Sequence, residues 1–308
     1  MQRRKFLGFA GGAITAGAFT AGSLPGRAMS AAGMNRLDEF GLQLSTLNAL
    51  MLKDFEGTLA RVAEVGYRQV EFSAMGFLGR PVEHVESQLA ANGLSAPVGR
   101  VTPALPEGFL ELPREEAMKI YRARGGIEHL AENVRYSLEG ALALGQKYLN
   151  LPGLGPDNFQ TLDQVKANIE KLVEAGEICA REGVLFGYHN HSWELMPVEG
   201  VIPYDLMLSE TDSDILGFQM DSYWIVKGGG GLRDYLSRHP GRFHSCHLKD
   251  IDAAGDFEDV GHGEIDFPDF VRFALEQGAK HFFVERDNPP EPERSIQRSF
   301  AYLKTMEF

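Results

Sequence analysis

Cysteine is scarce: Cys179 and Cys246 are the only two in 308 residues. A disulfide framework needs several pairs in a small fold, so that class is set aside. Both cysteines fall inside apolar patterns and read as buried thiols. The body of the chain has no Lys/Arg cluster, and the formal net charge is -13 with a pI near 5.2. Nucleic-acid binders present a basic face, so no nucleic-acid partner is expected. The acidity reads as a solvated surface. No Gly-rich nucleotide turn follows the first strand pattern, and no Lys-Ser/Thr pair follows Gly228–Gly231. Dinucleotide and P-loop folds are therefore not indicated. No low-complexity linker divides the chain. What is present is 44% hydrophobic residues, enough for a real core.

The N-terminus differs from the rest. Arg3-Arg4-Lys5 precedes the mildly apolar run FLGFAGGAITAGAFTAG, and small residues follow around Ala28–Ala32. A basic start, a weak apolar run and a small-residue cleavage site make a signal peptide. The arginine pair in RRKFLG matches the twin-arginine pattern, which directs export of a folded protein. Residues 1–32 are thus expected to be a twin-arginine signal peptide. The export machinery would be a partner and the location periplasmic or otherwise exported. The alternative is a membrane anchor, but a spanning helix needs about 20 strongly apolar residues. No stable membrane insertion is expected. Cleavage would remove four positive charges and no acid.

A helical stretch, a glycine and then an apolar run recur along the chain. The glycines are Gly66, Gly93, Gly145, Gly183 and Gly278. Glycine just past a helix supplies the left-handed residue that ends it. Eight strands are expected: Gly41–Ser45, Gln69–Ser73, Ala96–Val101, Tyr148–Pro152, Val184–His189, Leu216–Asp221, Phe243–His247 and His281–Glu285. The helices read between them are Phe55–Val65, Val82–Asn92, Ile127–Leu144, Leu162–Arg181 and Phe267–Gln277. Short apolar strands alternating with helices imply parallel pairing. Eight such units over roughly 250 residues is the size of a single-domain α/β (β/α)8 TIM barrel. A doubly wound open sheet is the alternative, disfavoured because the units continue to eight.

Four successive strands end in residues able to bind metal. VLFGYHNH carries His189 and His191, LGFQMD ends in Asp221, RFHSCHLKD carries His247, and HFFVER ends in Glu285 with Arg286. Active sites of such barrels lie at the C-terminal ends of the strands. A lone His or Asp there is usually a cap or a satisfied polar group; four in succession point to a divalent ion such as Mn, Co, Zn or Fe.

The segments YHNHSWEL, MDSYWIVKGG, GRFHSCHLKDID, VGHGEIDF and FFVERD, with GLQLSTL and YRQVEFS earlier, resemble the xylose-isomerase-like sugar phosphate isomerase/epimerase family. The resemblance runs from about residue 38 to the end, so the barrel is expected over 38–308. It implies one divalent metal ion (Mn, Co, Zn or Mg) near the barrel axis, with Glu, Asp, His and Glu ligands on strands five to eight. Asp221, His247 and Glu285 match the last three. His189 stands where many members have Glu, and Glu194, five residues on, is the alternative ligand or base. Family epimerases place metal-bound glutamates on opposite faces of the substrate, so His189 departs from a two-carboxylate mechanism and resembles inosose dehydratases.

The implied chemistry is removal of a proton next to a carbonyl, with the metal stabilising the enediolate that forms. Glu285 is the expected base as well as a ligand, and His189 or His191 the opposing acid/base. Lys249 shares a strand face with His247 and would contact a hydroxyl or oxyanion. Glu71 either binds a sugar hydroxyl or is a buried carboxylate paired with a neighbour such as Arg100. Arg286 either contacts substrate or pairs with a helix. Trp193 and Trp224 would stack on a sugar ring or form a lid. The first expectation is a metal-dependent sugar isomerase or epimerase with a small carbohydrate substrate. The alternatives are a lyase or dehydratase on a keto-sugar, keto-inositol or 3-keto-glycoside, and a non-catalytic carbohydrate-binding barrel. Homo-oligomerisation is left open. Export favours a free sugar or glycoside over a phosphorylated one.

Overall fold

Glycine sets the punctuation of this chain. Gly66, Gly93, Gly145, Gly183 and Gly278 all have positive φ, the conformation that stops a helix and releases the chain toward a strand. The computed structural model describes residues 37 and 39–308. The leader expected over residues 1–32 lies outside them. Among the described residues no helix is long and apolar enough to cross a membrane.

Ten strands form. They are β1 (Gly41–Gln43), β2 (Gln69–Glu71), β3 (Val98–Arg100), β4 (Tyr148–Leu151), β5 (Leu185–His189), β6 (Leu216–Asp221), β7 (Phe243–Leu248), β8 (Asp250–Ile251), β9 (Phe257–Glu258) and β10 (His281–Val284). β8 and β9 make a small antiparallel hairpin. The other eight are joined in the order β2-β1-β10-β7-β6-β5-β4-β3, every neighbouring pair being parallel. The ring is drawn together between β2 and β3 by one parallel bridge, Gln69 to Ser95. The result is a nearly closed TIM barrel, and each expected strand contains an observed one except that β7 runs one residue past its expected end at His247.

Helices Phe55–Val65 and Leu162–Arg181 have the expected bounds. Thr161 caps the second by accepting from Gln164 N at 3.2 Å, and its buried stripe includes Val165, Ile169 and Leu172. The stretch Ile127–Leu144 divides into a 3-10 turn, Ile127–His129, and a helix, Leu130–Ala143. Six helices escaped the sequence pattern: Asn48–Lys53, Arg114–Arg124, Pro203–Glu210, Ser222–Lys227, Leu232–Arg238 and Pro292–Thr305. Four of them are eight residues or fewer, too short to show a period, and Arg114–Arg124 is dominated by charge.

Alternation along the strands splits the core in two. Val70, Leu149, Phe186, Phe218 and Phe282 join the main apolar layer with the helices. Val98, Tyr148 and Phe283, with Leu185 against them, form a separate plug inside the barrel. Gly41 makes room for that plug: a Cβ there would meet the Phe283 ring at 2.3 Å. Above the plug the interior is polar, with Gln43, Glu71, Asn150, Gln219 and Ser245 all fully buried. Barrel interiors are usually filled by branched aliphatic residues, so this chain uses its axis for something other than packing.

Phe283→Ala should remove about 3–5 kcal/mol of stability, the range for emptying a buried aromatic site. Urea unfolding checks this; a loss under about 1 kcal/mol would show that the plug does not support the barrel.

Candidate metal centre

His189 ends β5, Asp221 ends β6, His247 is the penultimate residue of β7, and Glu285 follows β10. One face of each strand therefore delivers one donor to the top of the barrel. All four residues are buried, and one ligand atom from each lies within 4.8 Å of the others. The sequence left open whether His189 or Glu194 joins this group; it is His189.

Asp221 tests whether the group fits a cation. Its Oδ1 accepts from Trp224 N at 3.0 Å and caps the helix Ser222–Lys227. Its Oδ2 is buried and has no hydrogen-bond partner. The atoms facing it are His189 Nε2 and Lys249 Nζ, each at 3.7 Å, and His247 Nδ1 at 3.9 Å. A buried polar atom without a partner costs roughly 2–7 kcal/mol. Burial, partly offset by Lys249, pushes the Asp221 carboxyl up to about 7. Two imidazoles and two carboxylates are a donor set for a divalent first-row ion, and such an ion would satisfy Oδ2.

Both imidazoles are held from behind. His247 Nε2 donates to Glu71 Oε2 at 2.5 Å, and its Nδ1 lies 2.9 Å from Glu285 Oε2. Burial alone would lower His247, but Glu285 and Glu71 raise it to about 9. His189 Nδ1 donates to Gln219 Oε1 at 3.1 Å, which leaves Nε2 toward Asp221. Such outer partners fix tautomer and ring orientation in metal sites. Glu285 also accepts from Ser45 Oγ at 2.9 Å and Lys249 Nζ at 3.1 Å. Burial opposes its ionisation, yet Lys249 and His247 hold its carboxyl well below the usual range. Lys249 is itself buried, bonded to Asp287 at 2.7 Å. Its ammonium lies 5.4 Å from the Trp224 ring centre and 5.0 Å from that of Phe257.

Aromatic rings line the approach. Trp193 stacks on His191 with centres 4.5 Å apart, and Trp224 tilts against His191 at 5.2 Å. The Trp193 Nε1 donates to Leu154 O at 2.7 Å. His191 Nδ1 is buried and unpartnered, and burial pulls this imidazole down to about 3. Gly153 holds that wall in place. Its φ is +96°, and a Cβ would come within 2.5 Å of His191 Nδ1.

Three sequence-based site residues turn elsewhere. Glu71, a candidate sugar contact, is fully buried beneath the cluster and accepts from His247, Gln43 at 2.9 Å and Gln219 at 3.1 Å. Arg100 stands 3.8 Å from it, so the buried-pair alternative describes it. Arg286, a candidate substrate contact, bonds Glu258 at 3.1 Å, Asp259 at 2.6 Å and Phe257 O at 2.9 Å. One residue past Glu285, it points to the opposite face of the strand. Glu194, a candidate ligand or base, lies in the 3-10 turn Trp193–Leu195 and accepts from Tyr188 Oη at 2.7 Å and His191 N at 3.0 Å.

Gln43, Ser45, Gln219 and Asp287 were missed by sequence reasoning. Gln219 precedes Asp221 by two residues and Asp287 follows Glu285 by two. The period of a strand places such residues on the same face, and that signal was available. Asp250 accepts from the backbone N–H groups of Ile251, Gly261, Gly263 and Ile265, and so pins the segment after β7.

The sequence model of the xylose isomerase-like TIM barrel family matches residues 59–306, and the chain belongs to that family. Among solved structures, a sugar phosphate isomerase/epimerase from Parabacteroides distasonis is 27% identical with a TM-score of 0.69, over 87% of this chain and 98% of that one. A second from the same bacterium is 25% identical with a TM-score of 0.69, over 89% and 94%. The 3-keto-D-glucoside 4-epimerase YcjR from E. coli, 15% identical with a TM-score of 0.61 over 87% and 99%, shares the fold. No curated protein matches the chain.

Burial raises Glu194 from 4.5 to about 7, partly offset by Tyr188. Between those values the folded chain binds this proton more tightly than the unfolded chain, so stability falls as pH rises through the window. Glu194→Gln should flatten that fall relative to wild type in urea unfolding at a series of pH values. Parallel curves would exclude Glu194 as its source.

Proposed function

We propose that this barrel is a divalent-metal-dependent isomerase or epimerase that moves a proton next to a carbonyl of an unphosphorylated carbohydrate. The observation that carries this reading is Asp221 Oδ2, buried and without a donor among His189, His247 and Lys249. His189, Asp221, His247 and Glu285 would hold the ion. When bound, it supplies a Lewis acid for a carbonyl and a neighbouring hydroxyl.

The remaining chemistry falls to side chains. Glu285 stays ionised because Lys249 and His247 hold it low, so it accepts the carbon-bound proton. Ser45 and Lys249 fix its two oxygens during that transfer. Lys249 keeps its charge, since Glu285 and Asp221 raise its pKa against burial, and donates to a substrate oxygen that gains negative charge. His191, neutral and with Nδ1 buried beside Gly153, offers Nε2 as the second acid/base. The indoles of Trp193 and Trp224 pack against the sugar and exclude water.

Charge at the approach supports a substrate without phosphate. Lys249 is shared among Glu285, Asp221 and Asp287, and Arg286 is committed to Glu258 and Asp259. Asp287 adds a partly exposed carboxylate that would repel an anion. The Parabacteroides distasonis proteins are described as acting on sugar phosphates; here export from the cytoplasm through the leader at residues 1–32 would accord with a free sugar or glycoside. A second reading is elimination from a keto-sugar, keto-inositol or 3-keto-glycoside, favoured by His189. It leaves Glu285 as the one ligand glutamate, so two-carboxylate epimerisation lacks its second base.

The test uses metal analysis of the purified protein, then Mn2+- or Co2+-loaded protein with ketoses and 3-keto-glycosides in deuterated water. Deuterium should enter the carbon next to the carbonyl, and Glu285→Gln should slow entry by at least about 100-fold while sugar binding persists. A deuterated isomer supports the first reading, and a product lighter by water or an aglycone supports the second. Protein that neither contains nor takes up a divalent ion would overturn both.

A further inference from the structure

Gln219 offers no donor atom to the ion cluster itself, yet it is fully buried at the centre of the barrel, directly behind His189. Every hydrogen-bonding capacity of its amide is used. Oε1 accepts from His189 Nδ1 at 3.1 Å and from Arg100 at 3.0 Å. Nε2 donates to Glu71 Oε1 and to Ser245 Oγ, both at 3.1 Å. Through these bonds one β6 side chain reaches β2, β3, β5 and β7.

We infer that Gln219 is a positioning residue that sets the ring orientation of both imidazole ligands at once. This rests on the metal-centre reading above. On one side the amide oxygen takes the Nδ1 proton of His189 and leaves Nε2 facing Asp221. On the other side the amide nitrogen steadies Glu71, whose other oxygen takes the Nε2 proton of His247. That leaves Nδ1 of His247 facing Glu285 and Asp221. The two rings therefore present opposite nitrogens to the cluster, and the same amide stands behind both choices.

The chemistry requires an amide. A neutral side chain that accepts twice on one atom and donates twice on its neighbour is found only in Gln and Asn. Glutamate would still accept from His189 but would set a second carboxylate against Glu71. Methionine would fill the volume and leave His189 Nδ1 and one Glu71 oxygen without their partner. Outer hydrogen bonds of this kind are worth about 10–100-fold in metal affinity.

The test is Co2+ affinity by chelator competition, with the visible ligand-field bands recorded in the same titration. Gln219→Met and Gln219→Glu should each weaken Co2+ binding by about 10–100-fold and shift the bands. Asn150→Leu alters a buried polar residue of the same interior whose side-chain atoms have no partner. It should leave affinity and spectrum within about 2-fold of wild type, which separates positioning from general damage to the core. Combining Gln219→Met with Glu71→Gln should cost less than the two single losses added, because both cut one chain of bonds. The proposal is overturned if a folded Gln219 variant keeps wild-type affinity and bands, or if Asn150→Leu weakens binding as much. Should Gln219→Met not fold, Gln219→Glu decides. Wild-type protein that binds no Co2+ would instead sink the metal-centre reading, and the proposal with it.

Discussion

His247 lies between two buried carboxylates, Glu71 and Glu285, and much of the upper barrel answers the charge they bring. Removing one member of a buried ionic group strands the others, at about 3–5 kcal/mol. Each carboxylate therefore has its own retinue. Glu71 is met by Gln43, Gln219 and Arg100, and Glu285 by Ser45 and Lys249. Lys249 in turn engages Asp287. The polar axis is the consequence: once a carboxylate is placed on β2 beneath the cluster, aliphatic packing around it is no longer available.

The fold was legible because its signals are local. A glycine at positive φ acts within one turn of helix, and an apolar run of five residues can only be a short strand or part of a buried helix. The four donors at the strand ends were legible for the same reason, each standing at the end of such a run. What the chain spacing does not record is what faces a residue across the barrel. Glu71 ends its strand much as His189 does, yet its neighbours through space are His247 and Gln219, far away in sequence. Arg286 was decipherable by parity alone, since it neighbours an inward residue. Glu194 was not, because its partner Tyr188 belongs to the outward face of β5 and reaches it only through the turn.

Family membership and local chemistry speak to different things here. The family accounts for the barrel. The consequences of His189 spread downward, into the interior beneath it. An imidazole needs a hydrogen-bond acceptor behind it as a carboxylate ligand does not, and Gln219 is that acceptor.

The barrel's closure at a single bridge between Gln69 and Ser95 bears on all of this. A ring sewn by one stitch has a preferred place to tear, and β2 is the flap beside it. Glu71 is the last residue of that flap. Its bonds to His247, Gln43 and Gln219 are therefore also the thread that draws the flap inward. The side chains that hold His247 in place thus also hold the seam, so the ring of that imidazole and the wall beside it share one set of bonds.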